Sequence, residues 1–318
     1  MSTLELPQGP TSPREDAAKL HKAFKGIGCH PSKIIKILAH RDYFQRDLIQ
    51  QEYETAFSEP LSKRISSELH GNLKKAMLLW ILDPSTRDAT ALKQAISGPV
   101  PDLQAITEII CSRSPSQIRR FKEIYLSQFR LYLEKEIEEV ASGDHKKLLI
   151  EYVTTPRYEG PEFDDVLVEK DAKELYKAGE KRIGTDEKTF IRIFSERSST
   201  HLAAVSQVYQ NSHKHTLEKA IKKETSGHFM KALLTILRCA ENPPLYFARI
   251  LRKSMKGIGT DDSRLLRVIV TRAEIDMYHI KTVYFKKYGK TLKDAVKSDT
   301  SGHYKDFLLT LLGPDHPL

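Results

Sequence analysis

The apolar residues of this chain recur at the spacing of amphipathic helices. Ile34, Ile35 and Leu38 show the three-to-four-residue period, and segments 73–79 and 304–309 repeat it. These two segments end near Pro84 and Pro314, as expected where helices stop. No stretch alternates with the period of two that marks a half-buried strand. The pattern therefore predicts an all-α protein built from several short helices that pack on one another.

The helical pattern occurs in four copies with landmarks in a common register. Their origins are Gly28, Val100, Gly184 and Gly259, at intervals of 72, 84 and 75 residues. Thirteen residues after each origin comes an arginine, at Arg41, Arg113, Arg197 and Arg272. A tyrosine follows each origin by 25 residues (Tyr53, Tyr125, Tyr209, Tyr284) and a glycine by 43 (Gly71, Gly143, Gly227, Gly302). This self-similarity predicts four homologous units of about 70 to 80 residues.

The residue 40 positions after each origin is acidic in three of the four copies. In order along the chain it is Glu68, Val140, Glu224 and Asp299. The carboxylate is missing from the second copy, whose loop has also been rewritten as Ser97-Gly98-Pro99-Val100-Pro101. Because loop and acid are lost together, we expect them to serve one function.

The fullest form of the loop runs from residue 256 to residue 262. Gly257 and Gly259 permit positive φ and a backbone tight enough to turn several carbonyl oxygens toward one point. We expect Thr260 to cap the following helix, with Asp261 and Asp262 at its positive end. Carbonyl oxygens are hard, neutral ligands, and a carboxylate from another helix would add the charge that Ca²⁺ needs. The loop and its distant acid therefore indicate a calcium site.

Charge and cysteine content narrow the class of protein. The 318 residues carry a formal net charge of +9, which favours an anionic partner. The N-terminus lacks the features of a secretory signal, no apolar run approaches the roughly 20 residues of a membrane helix, and neither end carries a lipidation motif. The three cysteines form no disulfide framework, so we expect a reduced, cytoplasmic protein.

With these landmarks the chain resembles the annexins over residues 14 to 314, and most closely those of plants. The resemblance rests on four repeats, their spacing, and loops similar to G-x-G-T followed about forty residues later by an acid. It implies four repeats of five helices, arranged as a curved disc with the loops on its convex face. It also implies Ca²⁺ held by loop carbonyls and the distant acid, with remaining positions open to water or a lipid phosphate oxygen.

The same resemblance divides the chain into five segments. A short, loosely held tail spans residues 1–13, and the first repeat spans 14–84. The second repeat, without a calcium site, spans 85–156. A connector and the third repeat span 157–243, and the fourth repeat spans 244–318. The turn-rich stretch 154–161, at the boundary between the second repeat and the connector, is expected to connect two halves of the molecule.

Carried over position by position, the resemblance implies three ligand sets of decreasing completeness. The fourth repeat would use the carbonyls of Met255, Gly257 and Gly259 with bidentate Asp299. The first would use Phe24, Gly26 and Gly28 with Glu68, at lower affinity because Cys29-His30-Pro31 replaces the family's threonine and acid. The third would use Glu180, Arg182 and Gly184 with Glu224, although Arg182 stands where the family has a glycine, which leaves calcium binding there open. The second repeat should bind no calcium.

An apolar residue at each loop tip favours a membrane over a soluble calcium sensor. It is isoleucine in the three candidate sites, with a basic neighbour: Ile27 with Lys25, Ile183 with Arg182, and Ile258 with Lys256. Such tips would enter the interface beside anionic headgroups. We therefore expect a peripheral, calcium-dependent binder of acidic phospholipid, cytoplasmic until calcium rises, without catalytic residues and without a nucleic-acid partner.

Other readings of an annexin-like chain stay open. His40 occupies the position linked to a peroxidase-like activity in plant annexins, and Cys111 with Cys239 resembles a proposed redox pair. Gly289-Lys290-Thr291 with residues 299–302 is similar to proposed nucleotide-binding signatures, which would make the protein a nucleotide hydrolase. Ile191-Arg192-Ile193 matches a motif linked to F-actin. Ion conduction and oligomerisation on membranes are further alternatives.

Overall fold

A computed structural model describes residues 1–25, 28–257 and 259–315. Within these residues the backbone forms twenty α-helices and no strand, which confirms the predicted all-α class. The first repeat contains α1 (Pro13–Phe24), α2 (Pro31–Leu38), α3 (Tyr43–Phe57), α4 (Leu61–Glu68) and α5 (Gly71–Trp80). The second contains α6 (Pro84–Ile96), α7 (Leu103–Cys111), α8 (Pro115–Phe129), α9 (Leu133–Val140) and α10 (Gly143–Thr154).

The third and fourth repeats have the same order of helices. The third contains α11 (Asp165–Ala178), α12 (Glu187–Glu196), α13 (Ser199–His213), α14 (Leu217–Glu224) and α15 (Gly227–Glu241). The fourth contains α16 (Pro243–Ser254), α17 (Asp262–Arg272), α18 (Met277–Tyr288), α19 (Leu292–Asp299) and α20 (Gly302–Leu312). Each repeat therefore has five helices. The position of the candidate acid is the last residue of the fourth helix in every repeat.

The repeated glycine and tyrosine have structural roles. The glycines begin the fifth helices with φ of 58 to 61°, at Gly71, Gly143, Gly227 and Gly302. Glycine is favoured at this turn because residues with a side chain rarely adopt a left-handed conformation. The tyrosines lie buried in the third helices, at Tyr53, Tyr125, Tyr209 and Tyr284. Both landmarks therefore have a role in the fold of the repeat.

The repeated arginine joins the turn after the second helix to the first helix. Arg113 donates from Nε and Nη2 to the Asp88 carboxylate at 2.6 and 2.9 Å, and both residues are buried. The same two-point contact joins Arg41 to Asp16 and Arg197 to Asp171. Two parallel hydrogen bonds fix orientation as well as distance. Each pair thereby fixes the packing of two helices that flank the candidate loop.

The fourth repeat replaces this pair with another arrangement. Phe247 stands where the other repeats have the aspartate, and the Arg272 guanidinium lies 4.4 Å from the centroid of its ring. Arg272 donates instead to the carboxylate of Asp276, four residues later. A cation–π contact and a local ion pair therefore take over the role of the aspartate.

The helices form two compact units that do not follow chain order. Unit one is Met1–Arg87 with Phe247–Leu318, which are the first and fourth repeats, and unit two is Asp88–Tyr246. The prediction that residues 154–161 connect two halves is wrong, because this stretch lies inside unit two. Arg157 holds it there, with its guanidinium 3.6 Å from the Tyr152 ring centroid and a hydrogen bond to the Tyr152 carbonyl at 2.7 Å.

The N-terminal tail is held more firmly than its sequence suggests. Thr3 donates from its amide to the Ala273 carbonyl at 3.1 Å and from its hydroxyl to the Leu311 carbonyl at 2.7 Å. The amide of Tyr278 donates to the carbonyl of Met1 at 3.1 Å. The expectation of a loosely held tail is therefore wrong, since these bonds dock the tail on the fourth repeat within unit one.

Breaking a buried pair should cost far more than breaking an exposed one. In Asp88→Asn the Arg113 guanidinium stays buried without its counter-charge, and such losses cost roughly 3–5 kcal/mol. The matched control, Asp144→Asn, removes a contact with the exposed Lys147 and should change stability little. Thermal unfolding followed by circular dichroism should rank the variants in this order. Equal decreases in Tm would contradict the role given to the buried pair.

Candidate metal-binding loops

The loop between the first and second helices closes in the same way in all four repeats. An amide near its end donates back to a carbonyl in the last turn of the first helix, at 2.7 to 2.9 Å. The pairs are His30 to Ala23, Asp102 to Ala95, Asp186 to Ala178, and Asp261 to Ser254. The third loop contains one residue more than the others between these two points. This closure confines the loop carbonyls to a small region.

A second contact ties the loop to the end of the fourth helix, 39 residues later. The side chain after the last loop glycine donates to the carbonyl of the acidic residue in three repeats. The contacts are Thr260 to Asp299 at 2.9 Å, Thr185 to Glu224 at 2.7 Å, and Cys29 to Glu68 at 3.4 Å. In the second repeat the equivalent residues are Pro101 and Val140, and proline has no side-chain donor. The repeats that keep the acid are therefore those in which loop and acid are joined.

The fourth loop also contacts its carboxylate directly. The Thr260 hydroxyl lies 2.5 Å from Asp299 Oδ2, and in the part of the chain that the structure describes no lysine or arginine pairs with Asp299. Gly257 and Gly259 have φ of +116 and +84°. No described N–H donates to the carbonyls of Met255, Gly257 or Gly259. Among the described donors, only the Thr260 hydroxyl contacts this set of four predicted ligands.

Thr260 does not cap the helix that follows, contrary to the sequence-based expectation. The N-cap of α17 is Asp261, whose carboxylate accepts from the amide of Arg264 at 3.1 Å. Asp261 takes this position because its own amide closes the loop, which leaves its side chain at the positive end of the helix. The hydroxyl of Thr260 is thereby left to contact Asp299.

The first loop resembles the fourth where the structure describes it. The carbonyls of Phe24 and Gly28 accept from no described N–H, and Gly28 has φ of +83°. Gly26, the third predicted ligand of this loop, lies outside the described residues. Burial, and next the charge of Glu68, raise the pKa of the Cys29 thiol, so this side chain contacts Glu68 as a neutral, weak donor.

Two further contacts distinguish the first repeat from the fourth. His30 is the N-cap of α2, but its side chain makes no capping hydrogen bond. The carboxylate of Glu68 lies 3.5 Å from Arg64 Nη1, so a metal ion would compete with this arginine. Both differences weaken the first loop as a binding site.

In the third loop the side chain of Glu180 is already engaged. Its carboxylate accepts from the Tyr209 hydroxyl at 2.7 Å and contacts His215 Nε2. Burial alone would raise the pKa of Glu180, but hydrogen bonds from Tyr209 and His215 outweigh burial and lower it. Among the described donors, none contacts the carbonyls of Glu180, Arg182 or Gly184. The three predicted carbonyls of this loop are therefore free.

Sequence reasoning missed the role of Gly179 in the third loop. The side chain of Glu224 packs on this glycine, and a Cβ there would lie 2.9 Å from Glu224 Cγ. The approach of the acid to the loop therefore requires a glycine. Counting from Ala178 at the helix end, rather than back from Gly184, would have identified it despite the extra loop residue. The carbonyl of Gly179 accepts from the Arg182 amide at 3.1 Å.

The second loop presents no comparable ligand set among its described residues. Val100, where the other loops have glycine, is 83% exposed. Val140 ends α9 at the position of the acid. Glu136, one turn earlier, is bound by Lys93 at 2.7 Å and by the Tyr125 hydroxyl at 2.9 Å. The carboxylate of Glu136 thus serves the packing of the repeat.

The apolar tip of the third loop is fully exposed. Ile183 has a relative exposure of 103%, and Arg182 beside it is also exposed. Lys25 and Lys256 are exposed as well, whereas Ile27 and Ile258 lie outside the described residues. Of the helices that the structure describes, none combines the length and apolarity required to cross a bilayer.

The donor set of the loops selects among metals. Within the described ranges, no three His, Cys, Asp or Glu side chains come together as a metal site. A cation at these loops would be held mainly by neutral backbone oxygens and one carboxylate. Hard Ca²⁺ prefers such ligands, whereas Zn²⁺ and Cu²⁺ favour imidazole and thiolate. The residues present therefore fit Ca²⁺.

The nucleotide-like motif of the fourth repeat forms a turn between two helices. Gly289 is the C-cap of α18 with φ of +66°. Thr291 is the N-cap of α19, and its hydroxyl accepts from the amide of Asp294 at 3.0 Å. This geometry accounts for the glycine and the threonine without a bound phosphate.

Three other motifs also have structural contacts. His40 Nδ1 lies 2.7 Å from the Glu5 carbonyl in the tail. Ile191 and Ile193 are buried, and Arg192 between them pairs with the carboxylates of Glu174 and Glu196. Burial, and next the neighbouring Cys239, raise the pKa of the Cys111 thiol. High pKa is typical of a structural cysteine.

Comparison with known sequences gives a match for each repeat. The annexin family model matches residues 15–80, 87–151, 170–236 and 246–311. Annexin D5 of Arabidopsis thaliana is 55% identical over 315 residues, which cover 99% of this chain and 100% of that protein. Annexin A13 of Homo sapiens is 42% identical, with 96% of each chain covered.

Solved structures agree over the same length. Annexin III superimposes with a TM-score of 0.95 at 36% identity, over 99% of this chain and 98% of that chain. Chicken annexin V in complex with Zn²⁺ gives 0.92 at 38% identity over 99% of both chains. Calcium-bound annexin (Sm)1 gives 0.86 at 29% identity, over 99% of this chain and 93% of that one. By repeat, fold and sequence, this chain belongs to the annexin family.

Proposed function

We propose that this protein binds acidic phospholipid membranes in a calcium-dependent manner, with the ion bridging a loop and a lipid phosphate. The observation that carries the proposal is the contact between loop and acidic residue in three repeats, absent where the acid is absent. The annexin family is known for this activity, and a calcium-bound annexin is among the solved structures that this chain resembles. Three free cysteines favour a reducing compartment, the cytoplasm.

The ligands of the fourth loop are preorganised without a bound ion. The positive φ of Gly257 and Gly259 directs their carbonyls, and Thr260 holds the Asp299 carboxylate against the loop. Three carbonyls and a bidentate carboxylate would supply five oxygens, whereas Ca²⁺ takes roughly six to eight. When bound, Ca²⁺ would offer its remaining positions to water or to a phosphate oxygen of a lipid headgroup.

Side chains beside the loops would strengthen the contact with the bilayer. Lys25, Arg182 and Lys256 are exposed, and each basic residue near an acidic surface is worth about 1 kcal/mol. The exposed Ile183 would add apolar contact in the interfacial region. Several loops on one chain also raise one another's effective concentration at the surface, so that weak individual sites still give firm binding.

The fourth loop should be the strongest calcium site, ahead of the first. Asp299→Asn should raise the calcium concentration for half-maximal vesicle binding on the order of tenfold, the equivalent of about 1.4 kcal/mol. Glu68→Gln should raise it less, because Glu68 is shared with Arg64. Co-sedimentation with phosphatidylserine vesicles over a calcium series measures both, with Glu139→Gln, next to Val140 in the second repeat, as control.

Either of two results would reject this ranking. One is an equal or larger shift for Glu68→Gln than for Asp299→Asn. The other is a comparable shift for Glu139→Gln, which would show a general effect of charge. Absence of calcium-dependent sedimentation by the unchanged protein would overturn the proposed function itself.

The side chain after the last loop glycine should tune each site in a predictable direction. Cys29→Thr gives the first loop a hydroxyl, whose hydrogen bond to Glu68 is worth about 1 kcal/mol. Thr260→Val removes the corresponding hydroxyl from the fourth loop at nearly constant volume. We expect the first change to lower the calcium requirement for vesicle binding a few-fold and the second to raise it. Shifts of both variants in the same direction would be incompatible with the proposed role of this contact.

The exposed tip of the third loop should contribute to membrane binding without contributing to stability. Ile183→Ser removes an apolar side chain whose complete burial would be worth about 1.5–3 kcal/mol, and partial insertion would give less. Vesicle binding should weaken at fixed calcium while Tm stays constant. Val166→Ser is the matched control, because Val166 is 79% exposed but lies on helix α11 instead of the loop. Unchanged binding of Ile183→Ser would exclude insertion of this tip.

A further inference from the structure

A second candidate binding site lies in unit one, and its lining includes none of the predicted calcium ligands. A cavity of about 610 Å³ opens between α1, α2 and residues 5–7 of the tail. Four lysines line it: Lys19 and Lys22 on α1, and Lys33 and Lys36 on α2. We call this feature the lysine cavity. Its volume falls within the roughly 300–1,000 Å³ typical of small-ligand sites.

The positive charge of the lysine cavity is largely uncompensated. Of the two carboxylates in its lining, Asp16 is bound by Arg41 at 2.7 and 3.1 Å, so this pair adds no net charge. The other, Glu5, offsets one of the four lysine charges and leaves the cavity positive. Lys19 contacts Glu15 at 3.3 Å, but both side chains are more than 60% exposed and the contact is weak. The other three lysines pair with no carboxylate among the described residues.

The fold itself does not require these four cations. The equivalent positions of the second repeat, counted from its origin, hold Ala91, Gln94, Ala105 and Glu108. The second repeat forms the same pair of helices with these residues. The four lysines are exposed and like-charged, so packing does not account for their grouping around one cavity.

We propose that the lysine cavity binds a compound with several clustered phosphate groups, such as a polyphosphorylated inositol, either free or as a lipid headgroup. Lysine ammonium groups are compact point charges that bind phosphate oxygens from several directions. Four such groups on two helices match separate phosphates better than a single carboxylate. The site uses none of the calcium ligands, so it goes beyond the calcium-dependent function and needs no calcium.

Calorimetric titration of the full chain with inositol hexakisphosphate in EGTA tests the lysine cavity. The test variant carries Lys22→Gln, Lys33→Gln and Lys36→Gln. The control carries Lys63→Gln, Lys75→Gln and Lys286→Gln, which remove the same charge from exposed lysines elsewhere in unit one. We expect the test variant to bind at least about tenfold more weakly than the unchanged protein, and the control to differ from it by less than about threefold.

The outcomes of this experiment separate a built site from diffuse attraction. No binding by the unchanged protein, or equal weakening in both variants, would overturn the proposal. Circular dichroism verifies that the test variant is folded, and Lys36→Gln alone, with a smaller expected loss of affinity, repeats the comparison if it is not. Because EGTA is present throughout, failure here is distinct from failure of calcium-dependent binding.

A second arm distinguishes the two sources of the ligand. Vesicles containing phosphatidylinositol bisphosphate are compared with phosphatidylcholine vesicles, again in EGTA. Sedimentation with the first kind, lost in the cavity variant and kept in the control, assigns the lysine cavity to a lipid headgroup. Binding of free inositol hexakisphosphate without such sedimentation assigns it to a soluble compound. Sedimentation that the cavity variant retains in full would contradict recognition of the headgroup by these lysines.

Discussion

The hydrogen bond from the residue after the last loop glycine to the end of the fourth helix is the contact on which each candidate site depends. It brings together two positions that are 39 residues apart in sequence. A hydroxyl makes the contact in the third and fourth repeats and a thiol in the first, whereas the second has Pro101. The repeat without this donor is also the repeat without the acid. Loop and acid therefore form one structural element.

Folding and binding depend on different landmarks of the repeat, which explains how the second repeat lost one and kept the other. Its arginine pair, Arg113 with Asp88, is buried, Tyr125 is buried like its counterparts, and Gly143 has the positive φ of its counterparts. Its loop still closes through the amide of Asp102. None of these contacts involves the loop carbonyls or the acid. The calcium ligands can thus be lost from a repeat at little cost to its packing.

Helix period and repeat spacing predicted the all-α class and the number of repeats, because both depend only on the order of residue types along the chain. Long-range and steric details were not predictable in this way. The pairing of the first repeat with the fourth depends on contacts between distant segments. The capping role was predicted for Thr260 but belongs to Asp261, since spacing alone does not tell which side chain meets Asp299 and which caps the helix. The packing of Glu224 on Gly179 was hidden by one extra loop residue.

The lysine cavity and the first calcium loop share helices α1 and α2, so their ligands would influence each other. Lys22 and Lys33 lie within a few residues of the loop, and their charges oppose a cation at its carbonyls over about 8 Å at physiological ionic strength. An anion held by these lysines would remove part of that repulsion, and linkage requires that calcium strengthen anion binding by the same factor. The first loop is also weakened by Cys29 and by the Arg64 contact to Glu68. The occupancy of a weak site responds most to a given change in affinity, because such a site is far from saturation. The first loop is therefore the calcium site whose occupancy a ligand in the lysine cavity would change most.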